Sequence, residues 1–393
     1  MSSPHSINPI NPTTSMNVTD SLKNLSNVMK NLDERFQSYF IYAIIFIVIL
    51  IYGGYLYYLS ILQKRECNFM NNLYPDMNGF IIPISDNSDD FSHKLFDYYI
   101  KTAYNSCSGG SYKNGYVDIC HLKAILKQGV RCLDFEIYSI NDDPVVSTST
   151  EDSYFVKETF NYVPFGDSNE SVMEVINNYA FASGTCPNHT DPLIIHLRIK
   201  STNVAIYDKL AKIFSSYEKM LGPDYSYENT GKNIGLVPLL ELKNKIILIV
   251  DRTNTTYLES IKLLEFINLT SNSVFMRKYH YYDIVNNPDV MELTDYNRSN
   301  MSIVIPDKGI NPANPSGPLC RNYGCQMVAM RYQYVDDYLM ENAAFFDQAG
   351  TAFALKPPEL RYSPVIIPEP TPQNPDYNYA TRNIRTPYYT YKI

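Results

Sequence analysis

The chain has 393 residues, 45% of them apolar, with 33 basic against 41 acidic side chains and a net charge of −8. This composition excludes a disordered or collagen-like chain. An acidic balance with no basic cluster also argues against nucleic acid as a partner, because that backbone is held by dense Lys/Arg surfaces. Thirty-five Tyr, 18 Phe and no Trp, beside frequent Asn, Ile and Lys, read as the background of an AT-rich genome.

Residues 1–38 are polar and Ser/Asn/Pro-rich, then weakly helical around Ser21–Leu32, and are expected to form an arm with no fold of its own. From Phe36 to Gln63 there is no charged residue. Tyr39–Leu62 is long and apolar enough to cross about 30 Å of hydrocarbon at about 1.5 Å per residue. Arg35 and Lys64–Arg65 bound it, and Tyr39, Tyr42, Tyr55, Tyr57 and Tyr58 lie toward its ends, where amphipathic rings prefer headgroups. One transmembrane helix at 39–62 and a single-pass membrane location are therefore expected. A buried core helix competes with this reading; a cleaved signal peptide fits worse, since the run starts late and is too long. Lys23, Lys30 and Arg35 before the span, against Lys64 and Arg65 after it, lean toward an N-terminus inside. The sequons at Asn188 and Asn254 suit an exported C-terminal part, but an Asn-rich chain makes them by chance.

Residues 63–90 read as a connector. From 91 to 362 apolar strands alternate with amphipathic helices, the pattern of an α/β layer or barrel. The tail, 363–393, belongs to a stretch after Lys356 that holds eight of the 24 prolines, and is expected to be an extended strap offered to protein partners. Seven cysteines are too few for a disulfide scaffold, and Cys320 and Cys325 suit a local disulfide better than a zinc site.

Within the α/β part, Asp118 is a helix N-cap, Ile119, Leu122, Ile125 and Leu126 share one face, and Gly129 ends the helix. His121, on this helix, reads as structural. In the strand Val130–Ile137 the period of two sets Cys132, Asp134 and Glu136 opposite Leu133, Phe135 and Ile137. The strand Leu193–Arg198 places Ile194, His196 and Arg198 on one face; a helix over Asn203–Leu221 and a strand over Lys245–Val250 follow. With helices covering the apolar faces, Asp134, Glu136, His196 and Arg198 all point into the lumen of a TIM-like (β/α)8 barrel, whose chemistry sits at the C-terminal strand ends.

Read in order, these segments resemble the catalytic barrel of eukaryotic-type phosphoinositide-specific phospholipase C, from about Tyr104 to Arg361. The first half rests on Tyr104-Asn-Ser106, Gly129-Val-Arg-Cys-Leu-Asp-Phe-Glu136, Pro144-Val-Val-Ser-Thr-Ser149, Asp191-Pro-Leu-Ile-Ile-His-Leu-Arg198 and Leu242-Lys-Asn-Lys-Ile-Ile-Leu248. The second rests on Gly324-Cys-Gln-Met-Val-Ala-Met330, Phe346, Gly350 and Ala354-Leu-Lys-Pro357. The resemblance implies two histidines as general base and acid, and a calcium ion held by an Asn and carboxylates. Tyr104 and Thr148 stand where those histidines would be, and neither titrates near neutrality. Asn105, Asp134 and Glu136 match calcium ligands, while Arg198 replaces the remaining acidic one. An internal ion pair in place of calcium is the resulting expectation, with no cofactor, or calcium if the site stays competent. Lys308 is the one candidate for the phosphate grip.

Two functions follow. The first is a membrane-anchored, catalytically inactive barrel acting as a binding or structural scaffold, whose partners are the bilayer, a phosphoinositide headgroup and proteins met by the tail. The alternative is a divergent phosphoric diester hydrolase using Asp134, Glu136 or His196 as a replacement base. A structural component of a large DNA virus, set in its internal membrane, also fits the composition and the single span. Ser147 and Thr148 could hydrogen-bond a ligand or cap locally.

Overall fold

The computed structural model describes residues 16–166, 168, 170–363, 369–372, 374 and 379–393. Its centre is a parallel barrel. Strands β1 (Tyr98–Ala103), β2 (Cys132–Ile140), β5 (Leu193–Ile199), β6 (Ile246–Asp251), β7 (Ile267–Ser271), β8 (Met276–His280), β9 (Met301–Ile305) and β10 (Met327–Met330) form the path β7-β6-β5-β2-β1-β10-β9-β8. The two ends of that path, β7 and β8, are joined by residues 272–275, so the barrel is nearly closed. Two further strands, β3 (Asp143–Ser147) and β4 (Val163–Pro164), extend β2 as an antiparallel ribbon. Asn141 and Asp142, at φ 52° and 64°, make the two-residue turn between β2 and β3, both being residue types that tolerate the left-handed region. Finally β11 (Phe353–Leu355) runs antiparallel against β1.

The alternation read from β2 and β5 holds. Leu133, Phe135, Leu197 and Ile199 face outward into the core between barrel and helices, where Phe135, Phe165 and Phe214 pack edge to face. Cys132 and Ile194 face inward with Ile100, Ile247, Ile249, Leu269, Met301, Ile303 and Met327. These apolar side chains fill the lower lumen, so the polar residues one step further along each strand gather at its upper end.

Two segments differ from the sequence expectation. The helix after β5 ends at Ser215 rather than Leu221, because the Ser215 and Ser216 hydroxyls turn back onto the Lys212 carbonyl at 2.7 and 3.1 Å. The described end of the tail is a hairpin, not an extended strap: Asn383–Arg385 pairs with Thr390–Lys392. Thr386 Oγ1 accepts from the Tyr388 and Tyr389 amides and holds the turn. Residues 364–368, 373 and 375–378, where the strap was also expected, lie outside the described residues.

Helix α1 is continuous from Met16 to Leu73, and so takes in part of the stretch read as an unfolded arm and the first third of the connector. It is long and apolar enough to cross a membrane, and none of its most apolar window is buried within the chain. That sets aside the core-helix reading. Beyond Leu59 the helix lies on the barrel: Tyr116 Oη donates to the Leu59 carbonyl at 3.2 Å, Gln63 donates to Asp118, Met70 is buried, and Cys67 forms a disulfide with Cys120 of helix α2 (Ile119–Lys127). The pairing expected within Cys320 and Cys325 is absent; both are free and buried, and Cys325 Sγ instead accepts from Asn297 at 3.4 Å. Asn188 is fully buried, its amide donating to Gly129 and Asp191, so that sequon offers no glycan site in the folded chain.

Glu66 anchors this docking by accepting from the Tyr116 amide at 3.1 Å. Burial pushes its carboxyl up to about 7, against the lowering effects of the Tyr116 N–H and Arg65. A carboxyl raised in the folded state gives stability that is full below its ordinary value and lost as pH rises through the raised one. Contact between α1 and the barrel is therefore expected to loosen between about pH 4.5 and 7. Hydrogen exchange at residues 110–118, corrected for intrinsic rates, should rise over that window, and Glu66→Gln should flatten the profile.

Candidate functional site at the barrel mouth

The carboxylates of β2 and the cation of β5 meet because Asp134 pairs in register with His196 and Glu136 with Arg198. Arg198 donates from Nε to Asp134 Oδ1 at 3.0 Å, from Nη2 to Asp134 Oδ2 at 2.7 Å and from Nη1 to Glu136 Oε1 at 2.6 Å. Its Nη2 also reaches Asn105 Oδ1 at 2.9 Å, and its guanidinium lies 4.6 Å from the centre of the Tyr104 ring. All five side chains are buried. Burial alone would raise the pKa of Asp134; the Arg198 charge and the His196 hydrogen bond hold it well below the usual carboxylate range.

Glu136 is closed off on its other oxygen by Tyr138 Oη at 2.7 Å and the Ser149 amide at 2.9 Å. The β2–β3 register brings Ser149 there, since Glu136 stands opposite Ser147. Thr148, beside it, is satisfied locally through the Tyr112 carbonyl at 3.2 Å. Tyr112 packs edge to face on Tyr104 at 5.5 Å, so Tyr104 and Thr148 are linked through this one residue. Ser147 bonds Thr159 and the Asn161 carbonyl. Both hydroxyls thus act as local caps.

His196 has both ring nitrogens engaged: Nδ1 lies 2.7 Å from Asp134 Oδ1 and Nε2 3.0 Å from Ser271 Oγ. His121, on α2, is buried with no hydrogen-bond partner among the described residues, and burial pushes its pKa down to about 4.

Sequence reasoning missed half of the mouth. Lys278 and His280 share the inward parity of Met276 on β8, a strand not read from the sequence. Asp251, at the end of β6, accepts from Lys278 Nζ at 2.6 Å and from Ser271 Oγ at 3.2 Å. Asp152, on the β3–β4 loop, pairs with Lys308 and with His280 Nε2 at 2.9 Å. Lys308 thus lies at the mouth, bound to a carboxylate of the chain. A cavity of roughly 320 Å³ opens beside these groups, lined by Asp152, Phe155, Arg198, Lys200, Asp251 and Lys278 among others. The missed signal is the alternation Met276, Lys278, His280, a period of two over a short run.

A family model described as the phosphatidylinositol-specific phospholipase C X domain matches residues 91–252, and the Y domain of the same enzymes matches 253–359. Together they cover more than half of the chain. The chain belongs to the phosphatidylinositol-specific phospholipase C family. No curated protein matches it. Among solved structures, PLC21 of L. pealei and PLC21 of S. officinalis are similar at 17% and 18% identity, each with a TM-score of 0.54 over 69% of this chain. This chain spans only 38% of the length of each. At that identity the likeness is one of fold, and it agrees with the TIM-like barrel seen here.

The family motif of the second half proves to be scaffold, not site. Gln326 Nε2 lies 3.0, 3.0 and 2.8 Å from the carbonyls of Phe96, Asn297 and Asn300, while its Oε1 accepts from the Ser302 amide at 2.8 Å. Lys356 Nζ donates to the same Asn297 carbonyl at 2.9 Å.

For calcium, the donors Asn105, Asp134 and Glu136 are the right chemistry, hard oxygens at one end of a barrel. The Arg198 guanidinium lies among all three and uses the oxygens a cation would need. A divalent ion does not fit there while Arg198 stays.

Proposed function

We propose that this protein is a membrane-anchored barrel of the phospholipase C family that binds a phosphoinositide headgroup without cleaving it. The observation that carries the reading is Arg198, whose fixed positive charge pairs with both Asp134 and Glu136 in the place of a metal. The proton-transfer positions point the same way. Burial pushes the Tyr104 phenol well above its ordinary pKa, and the Thr148 hydroxyl has no titration near neutrality that could serve a general base.

The lipid side of the reading rests on where α1 leaves the barrel. The loop after β1 and the N-terminus of α2 lie at the C-terminal ends of the strands, and there Tyr116 and Asp118 hold Leu59 and Gln63. A helix that reaches the bilayer surface near Leu62 sets the barrel mouth beside the headgroups. Tyr154, Phe155 and Val156, consecutive on the loop over that mouth, are 45%, 45% and 76% exposed, apolar side chains that an interface would cover. The exposed Tyr388 and Tyr389 of the tail hairpin suit contact with partner proteins.

The hydrolase alternative finds its observation in the chain Asp134, His196, Ser271, which has the connectivity of a nucleophilic triad. All three are fully buried, and only Arg198 of the central cluster reaches the cavity. The full chain, reconstituted in vesicles of phosphatidylinositol, is expected to release no inositol phosphate with calcium or with chelator. Calcium-dependent release that vanishes in Asp134→Asn/Glu136→Gln would overturn the binding reading.

A further inference from the structure

The tip of the β3–β4 loop is held to the barrel at one residue, Asp152, by its carboxylate and by its backbone carbonyl, which accepts from Lys200 Nζ. Asp152 meets Lys308, His280 Nε2 at 2.9 Å, Lys200 Nζ at 3.5 Å, Arg198 Nη1 at 3.7 Å and Lys278 Nζ at 3.8 Å. These groups come from β5 and its end, from β8 and from the segment after β9. Arg198 and Lys278 have other carboxylates, Asp134, Glu136 and Asp251. Among the described residues Lys200, Lys308 and His280 show ion pairs with Asp152 alone.

One carboxylate thus faces all three groups; the Glu136 charge also acts on Lys200 from deeper in the mouth. Burial would raise the Asp152 pKa, yet His280, Lys278, Arg198 and Lys308 hold it well below the usual range. Burial and the Arg198 charge push Lys308 down to about 8, against the opposing pull of Asp152. A phosphate monoester carries a charge of about −1.5 to −2 and three strong acceptor oxygens, more than Asp152 can offer the same donors. Asp152 is not locked in: its side chain is 26% exposed, and it borders the 320 Å³ cavity.

We propose that Asp152 is a built-in competitor for this cationic nest: a phosphate-bearing ligand entering the mouth takes the place of its carboxylate and releases the 151–157 tip. This rests on the headgroup-binding reading and adds its regulation. Displacement frees the Tyr154-Phe-Val156 run together with Asp152, so ligand capture and insertion of that tip into an interface reinforce one another.

The test uses the full chain in phosphatidylcholine nanodiscs, with inorganic phosphate in solution in one arm and phosphatidylinositol phosphate in the disc in the other. Hydrogen exchange of residues 151–157 in the unaltered chain is expected to rise in at least one arm, the arm identifying a soluble or a lipid source. Asp152→Asn, which keeps the shape and removes the charge, should bind the effective probe at least about 10-fold more tightly, and Lys308→Gln in that background should reverse the gain. Equal binding by the unaltered chain and Asp152→Asn, with an unchanged tip, overturns the competitor and leaves headgroup binding standing. Binding of neither probe by either protein overturns both. The exchange measurement needs no variant, so a poorly folded Asp152→Asn does not shield the proposal.

Discussion

Arg198→Ala is expected to destabilise the barrel by about 3–5 kcal/mol, because removing one partner of a buried ion pair strands the other. Here two buried carboxylates, Asp134 and Glu136, lose their shared cation at once. Chemical denaturation of the full chain in detergent measures the loss. Part of the cost should be recovered when the emptied space admits a divalent ion: millimolar calcium is expected to raise the melting temperature of the variant and leave the unaltered chain unmoved. A variant as stable as the parent would mean that the carboxylates are not held charged by Arg198. The same pairs set an acid limit. Asp134 has a depressed pKa in the folded state, so its contribution is present above its unfolded value and is lost as pH falls through the folded one.

Gln326→Leu is the second large expected loss, on the order of 3 kcal/mol, although it lies far from the mouth. Leucine fills much the same volume but leaves the Ser302 amide and the carbonyls of Phe96, Asn297 and Asn300 without the side chain that now serves them. Each buried group left unpaired costs about 1–3 kcal/mol, tempered where Lys356 still reaches Asn297. Gln326→Glu separates size from hydrogen bonding: it keeps an acceptor for Ser302 and removes the two N–H bonds that the three carbonyls share. It should therefore also destabilise, and parental stability in both variants would refute the role. Neither change should alter phosphate binding in folded protein, since the site lies at the other end of the lumen.

Both results bear on how much of this molecule could be read from its residues. The inward set of Asp134, Glu136, His196 and Arg198 was legible because a strand alternates with a period of two, and the apolar partners Leu133, Phe135 and Leu197 left no doubt about the outer face. The order of the motif segments then sufficed for the family, as the matches over 91–359 show. Lys278 and His280 escaped because β8 is five residues long and only partly buried along most of its length, which gives too short and too polar an alternation to stand out. Asp152 escaped for another reason: it lies on a loop, where no periodicity predicts direction.

Residue order alone sufficed for the long apolar helix, the barrel and the shared inward face of Asp134, Glu136, His196 and Arg198. Those are local properties, set by composition, spacing and alternation along one strand at a time. It took the folded chain to show that Arg198 takes up both carboxylates and Asn105 together, that Cys67 reaches Cys120 across 53 residues, and that Asp152 meets Lys308 at the mouth. Each of these joins elements far apart in the chain. Which charge meets which is fixed by the register of neighbouring strands and the fold of a loop, and no window of sequence contains both partners.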